Sequence, residues 1–188
     1  MNTALATIER SSLAEQVAVN GDLSSLTPDQ RMAYYSEVCS SIGLNSLTRP
    51  FDYLKLNGRL VLYAKKEATD QLRTLHDVSI TQLDRVRDGD LYVVTAYARN
   101  KAGREDADMG IVTVKGLSGD ALGNAMMKAV TKAKRRVTLA ICGLGWLDET
   151  EVETIPNARP VLVSDQGHIV EPAPPTPLSY ADRWLAQF

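Results

Sequence analysis

A short stretch of the chain concentrates five cationic side chains on one predicted helix. They are Lys128, Lys132, Lys134, Arg135 and Arg136. At about 100° per residue, all of them except Lys134 project within roughly a third of the helix circumference. A compact group of cations suits a phosphate backbone, because ionic contacts to phosphates dominate sequence-independent nucleic-acid binding. The spacing therefore predicts a nucleic-acid-binding stripe on this helix.

A solvated surface is the alternative, since lysine and arginine are good helix formers and most charged helix faces only contact water. The local charge balance favours the binding interpretation. The formal net charge of the 188-residue chain is −2, yet residues 115–136 contain six cations against one anion, Asp120. Four acidic residues follow closely, namely Asp148, Glu149, Glu151 and Glu153. Such segregation is less usual on a passive surface.

The length and the apolar content of 44 % fit one globular domain with an appended tail. No window approaches the roughly 20 apolar residues that span a bilayer, and the N-terminus has no apolar run, so we expect a cytoplasmic protein without membrane contact. Cys39 and Cys142 are expected to be reduced thiols. Two histidines cannot build a histidine-rich metal site.

Local signals predict two helices, a hairpin, a meander and a long helix. Thr27 is a favourable N-cap residue and Pro28 a favourable first helical residue, so they predict the start of a helix. Asn57-Gly58 is a strong hairpin signal, and Gly143 ends the long helix. The predicted elements are helices over 27–42, 65–76 and 121–142, and strands over 51–56, 59–64, 79–86, 91–100 and 106–114.

Six prolines beyond Ile155 predict a change to irregular structure. The predicted organisation is a flexible N-terminal arm over 1–22, a core domain over 23–155, a Pro-rich linker over 156–178 and a short amphipathic segment over 179–188. Tyr180, Trp184 and Phe188 follow one another at four-residue spacing in that last segment. This segment is either a disordered tail or a helix that docks its aromatic side chains on a partner.

Short motifs accompany this order of elements. They are Gly89-Asp-Leu-Tyr92-Val93, Gly103, Asp106-Ala-Asp108-Met-Gly110, Ala129-Val130-Thr131, Arg135-Arg136 and Gly143-Leu144-Gly145. Over residues 55–147 they resemble the β-β-β-α core of the single-strand annealing proteins, a superfamily that includes phage Red beta, RecT and Erf and the eukaryotic Rad annealing protein. The eukaryotic Rad branch is the most similar. Arg135 stands where that branch has lysine, which keeps the positive charge.

The resemblance implies an α+β fold in which a β-hairpin and a three-stranded antiparallel meander pack on the long basic helix, followed by a disordered Pro-rich tail. It implies a non-enzymatic, ATP-independent phage recombinase without cofactor, which anneals single-stranded DNA during recombination in the bacterial cytoplasm. It also implies a homo-oligomeric ring or helical filament. The tail is expected to dock on a host single-strand-binding protein, a phage exonuclease or another subunit.

The residues expected to contact DNA are Arg135, Arg136, Lys128, Lys132, Lys65, Lys66 and Arg59. For the last three, solubilising charge at a hairpin edge is the alternative. Tyr53, Tyr63, Tyr92 and Tyr97 are expected to pack in the sheets rather than to bind bases.

Two other functions are alternatives to annealing. A passive single-strand-binding module would share the cations without promoting pairing. A metal-dependent nuclease would use carboxylates as magnesium ligands, namely Glu67, Asp70, Glu105, Asp106 and Asp108. The last three of these are expected to have no basic partner. A nucleotide phosphate loop at Gly116–Gly123 is excluded because Asn124-Ala125 replaces the lysine and hydroxyl pair that such a loop requires.

Overall fold

The computed structural model describes Val17, residues 21–148, Val152 and residues 155–170. This part of the chain is α+β, with three α-helices and two antiparallel sheets. The helices are α1 (Pro28–Ser41), α2 (Lys66–Leu75) and α3 (Gly119–Ile141). The strands are β1 (Phe51–Leu56), β2 (Arg59–Ala64), β3 (Ser79–Asp88), β4 (Leu91–Arg99), β5 (Glu105–Thr113), β6 (Arg159–Val163) and β7 (Ile169–Val170). None of the helices described here combines the length and apolar character needed to cross a membrane.

Both strong local signals in the first half of the chain are confirmed. Thr27 caps α1 in a reciprocal pair: its Oγ1 accepts from the Gln30 amide at 3.3 Å, and the Thr27 amide donates to Gln30 Oε1 at 3.0 Å. Asn57 and Gly58 have φ values of 50° and 82°, the left-handed conformations that a tight hairpin turn requires. They place β1 antiparallel to β2, with Phe51 opposite Ala64.

The meander β3-β4-β5 packs one face on α3. Alternate residues of β4 are buried, including Tyr92, Val94 and Ala96, and they share an apolar cluster with small side chains of α3. The helix approaches β5 closely at Gly110. A Cβ atom there would lie 2.2 Å from the Ala129 carbonyl oxygen, so only glycine fits this helix-to-strand contact.

The long helix α3 is shared by two cores. Ala129 and Val137 are fully buried against the meander. Leu139 instead belongs to a cluster with α1, α2 and the β1-β2 hairpin, which includes Phe51 and Leu72. The C-terminal half of α3 is therefore covered on two sides, which the sequence did not predict.

The structure corrects part of the predicted linker over 156–178. Its described residues contain β6, which pairs antiparallel with β1, and β7, which pairs with β6, so the first sheet has the order β2-β1-β6-β7. Pro160 is the second residue of β6, where β6 pairs with β1 on one side only. Its missing amide N–H therefore does not prevent pairing. Pro156 precedes the strand.

A buried arginine holds this C-terminal hairpin on α1. Arg31 is 4 % exposed and donates to the carbonyl oxygens of Leu23, at 3.2 Å, Leu26, at 2.6 Å, and Gly167. Gly167 has a φ of 80°, and a Cβ there would lie 2.1 Å from the Pro28 carbonyl oxygen. The number of prolines in a segment does not predict non-local contacts of this kind.

Predictions for the two ends of the chain fall partly outside the described residues. Of the predicted N-terminal arm, Val17 is buried in the cluster that contains Phe51 and Leu72, and Asp22 accepts a hydrogen bond from the Leu60 amide at 2.8 Å. These two residues are therefore held by the fold. The rest of residues 1–20 lies outside the described residues, as does the segment 171–188 with Tyr180, Trp184 and Phe188.

Candidate nucleic-acid interface

A cleft between α2 and α3 brings together four cationic side chains. Its volume is about 310 Å³. The residues that line it are Lys66, Thr69, Asp70, Arg73, Thr131, Lys134 and Arg135. These residues are called the cationic cleft below.

Helical spacing in both segments explains the arrangement. Lys66, Thr69 and Arg73 are three and four residues apart, so they lie on one face of α2. Ala68 and Leu72 lie on the adjoining face and are fully buried, and Thr69, at the boundary of the two faces, is 2 % exposed. On α3, Thr131, Lys134 and Arg135 repeat the same spacing. Packing of α2 against α3 then turns two polar helix faces into one cleft.

Asp70 is the one carboxylate in this lining. It accepts hydrogen bonds from Lys66 Nζ and from Arg73 Nη2. Partial burial opposes its ionisation, but the Lys66 hydrogen bond and the Arg73 charge outweigh that effect and hold the pKa of Asp70 below its usual value. Asp70 is therefore ionised at neutral pH. Four cations and one anion leave the cleft with an excess of positive charge.

Arg135 does not project outward as the helical projection predicted. It is only 7 % exposed, and it lies on the side of α3 that faces α2. Its guanidinium is one of the four cationic groups that line the cleft. A charge in a partly buried wall is screened less by water and salt than one at the surface. Arg135 thus adds a persistent positive charge to the cationic cleft.

Arg136 lies in a different cleft from Arg135. It shares that cleft with Asp108, Leu144 and Trp146, and its Nε donates to Asp108 Oδ1 at 3.1 Å. Consecutive helical residues are separated by about 100° around the axis, which is enough to send them to different neighbours. The predicted Arg135-Arg136 pair therefore does not act as one patch.

The remaining predicted cations lie outside the lining of the cationic cleft. Lys128 is exposed and Lys132 half-buried, both nearer the N-terminus of α3. Lys65 precedes α2, and its Nζ lies 3.4 Å from Asp52 Oδ2. Arg59 is the first residue of β2, and Lys65 directly follows the last. A six-residue strand rises about 3.3 Å per residue, so roughly 20 Å separates the two cations.

Of the seven cations predicted to bind DNA, the cleft contains Lys66 and Arg135. Arg73 and Lys134 complete the cationic set and were not predicted as site residues. Their signal in the sequence is the spacing of Arg73 from Lys66, seven residues along α2, and the position of Lys134 beside Arg135. That signal has meaning only once α2 is known to face α3.

The carboxylates of the nuclease alternative are mostly engaged in ion pairs. The pairs are Asp70 with Lys66 and Arg73, Glu105 with Arg99, Asp106 with Arg104 at 3.8 Å, and Asp108 with Arg136 at 3.1 Å. The prediction that the last three acids lack basic partners is wrong. Across the described ranges, no group of three or more histidine, cysteine or acidic side chains is placed to hold a metal ion.

Comparison with known proteins does not add a family to this site. No protein-family model matches the chain, and no curated protein sequence matches it.

Proposed function

We propose that the protein is a single-strand annealing protein of the phage recombinase type. In this proposal it binds single-stranded DNA at the cationic cleft and promotes ATP-independent pairing of complementary strands in recombination. The observation that carries the proposal is the meeting of Lys66, Arg73, Lys134 and Arg135 around one carboxylate. Such a charge excess between two helices suits a phosphate-bearing chain.

The chemistry of the lining supports backbone contact rather than base recognition. The described side chains of the cleft are cations, two threonines and Asp70, without an aromatic platform. Arginine can hold phosphate through two parallel hydrogen bonds, and threonine hydroxyls can donate to phosphate oxygens. A strand held by its phosphates keeps its bases accessible to a complementary strand, which is what annealing requires.

The arrangement of the meander on α3 resembles the β-β-β-α annealing core, and this likeness is the second support. A single small cleft contacts few phosphates. Repetition around a homo-oligomeric ring or helical filament would raise avidity without new contacts of a different kind. The proposed assembly works in the cytoplasm of a bacterial host, needs no cofactor, and recruits a host single-strand-binding protein or a phage exonuclease through the C-terminal segment.

The test is the rate at which two complementary labelled oligonucleotides pair without ATP. We expect the wild type to accelerate pairing and the variant Lys66→Gln/Lys134→Gln to lose most of that acceleration. The matched control is Lys101→Gln/Lys115→Gln, which removes the same charge from side chains that are 85 % and 78 % exposed outside the cleft. This control should pair strands at the wild-type rate.

Two outcomes would contradict the proposal. If the wild type binds single strands tightly but does not accelerate pairing, it is a passive single-strand-binding protein. If the cleft and control variants accelerate pairing equally, DNA does not bind at the cationic cleft. Circular dichroism of each variant separates these results from loss of folding.

A further inference from the structure

A second cleft, of about 520 Å³, lies between α1, β1 and the turn that joins β6 to β7. It shares no lining residue with the cationic cleft. Tyr35, Phe51 and Tyr53 contribute to its lining, with ring centroids 6.3 Å apart for Tyr35 and Phe51 and 6.2 Å apart for Tyr35 and Tyr53. All three residues are buried, so they form the floor of the cleft. This cleft is called the aromatic cleft below.

The rim of the aromatic cleft is apolar on one side and charged on another. Leu47, in the short helical turn before β1, is 89 % exposed, the most exposed large apolar side chain in the described part of the chain. Arg49 and Asp165 form an ion pair at the rim, with side chains 60 % and 83 % exposed. A solvent-exposed leucine at the rim of a cleft favours a partner with apolar side chains.

The last described residue of the chain lies near this cleft. Val163 lines the cleft, and the last described residue, Val170, pairs with the neighbouring Leu162 in the β6-β7 ladder. Another 18 residues follow Val170. An extended Pro-rich chain covers about 3.1 Å per residue, so the eight residues 171–178 could span roughly 25 Å. The segment 179–188 is therefore within reach of the cleft.

The composition of that segment complements the cleft. Tyr180, Trp184 and Phe188 recur every four residues, the spacing of an apolar stripe on a helix.

We propose that the aromatic cleft binds residues 179–188 of the same chain, which place their aromatic side chains against Leu47 and over the floor of the cleft. This inference goes beyond the proposed function and does not depend on DNA binding. It makes the cleft, rather than an external protein, the resident partner of the segment, so an exonuclease or single-strand-binding protein would have to displace it.

The experiment is fluorine NMR of the full chain labelled with 5-fluorotryptophan. The chain has two tryptophans, and Trp184→Phe assigns the resonances. In the wild type we expect the Trp184 resonance to differ from that of a free labelled peptide of residues 179–188. Leu47→Asp should return it to the peptide position, and the matched control Met127→Asp should not, because Met127 is 62 % exposed on α3 outside the cleft.

Three results would overturn the inference. The first is a wild-type Trp184 resonance at the free-peptide position, which means that the segment is not bound. The second is a shifted resonance that Leu47→Asp leaves unchanged, which places the segment elsewhere. The third is a resonance that returns to the peptide position on dilution, which shows that a second copy supplies the segment. Leu47 and Met127 are both solvent-exposed, so neither substitution should perturb folding.

Discussion

Arg135 and Arg136 are consecutive in α3, yet their side chains line two different clefts. Arg135 is buried beside α2 in the cationic cleft, whereas Arg136 is half-buried and donates to Asp108 of β5 at 3.1 Å. The two residues belong to opposite kinds of environment: the first adds to a cluster of cations, and the second is neutralised by a carboxylate. Their contributions to DNA binding should therefore differ.

Salt dependence distinguishes the two clefts. We expect Lys66→Gln to flatten the slope of log affinity against log salt for single-stranded DNA by about 0.7, the value for one lost phosphate contact. Arg136→Gln should leave the slope unchanged, because Arg136 is the one cation among the described residues that line its cleft, and Asp108 balances its charge. Fluorescence anisotropy of a labelled oligonucleotide over a range of salt concentrations measures both slopes. Equal flattening by both variants would show that the DNA path includes the cleft that contains Arg136 and Asp108.

Glycine is required at one strand position and dispensable at one helix position. Gly110→Ala would place a Cβ 2.2 Å from the Ala129 carbonyl oxygen and 2.6 Å from the Ala133 amide nitrogen, both backbone atoms of α3. We expect a loss of about 1–3 kcal/mol in the free energy of unfolding, or more, because neither atom can move without shifting the helix.

The control for this prediction is Gly123→Ala in α3, where the added Cβ meets no atom within 4 Å. Alanine favours helix over glycine by about 1 kcal/mol, so this variant should be more stable than the wild type. Urea unfolding of both variants gives the two free energies. A Gly110→Ala protein as stable as the wild type would mean that α3 does not lie so close to β5.

Asp70 makes a pH-dependent contribution to stability. Its pKa is lowered in the fold, so the native state favours the carboxylate. The resulting stabilisation is fully present above the unfolded pKa of about 4 and is lost as pH falls through the lower pKa that Asp70 has in the fold. Asp70→Asn should therefore lower the free energy of unfolding at pH 7, by less than about 1 kcal/mol because the side chain is 37 % exposed. At pH 3 the difference between the variant and the wild type should be smaller than at pH 7.

Urea unfolding at the two pH values checks this expectation. Asp88→Asn, at the exposed end of β3, is the matched control and should leave the unfolding free energy unchanged at both. A deficit for Asp70→Asn that is as large at pH 3 as at pH 7 would mean that it arises from altered packing rather than from the ion pairs with Lys66 and Arg73.

Elements specified by neighbouring residues were predictable. The Thr27-Pro28 start of α1 and the Asn57-Gly58 turn each depend on a few consecutive side chains and their own backbone angles. The same holds for the meander and the long helix, whose periodic patterns lie within single segments. The β6-β7 hairpin was missed because its stabilising contacts, with β1 and with Arg31, come from residues far away in the chain.

The sequence by itself determined the α+β class, the position of most elements and the abundance of cations on α2 and α3, because these follow from local propensity and helical period. Only the tertiary structure decided which cations meet. The packing of α2 on α3 joined Lys66 and Arg73 to Lys134 and Arg135, and the contact of α3 with β5 took Arg136 to Asp108. A helical projection gives directions around one axis, whereas a site depends on the neighbouring element that occupies each direction.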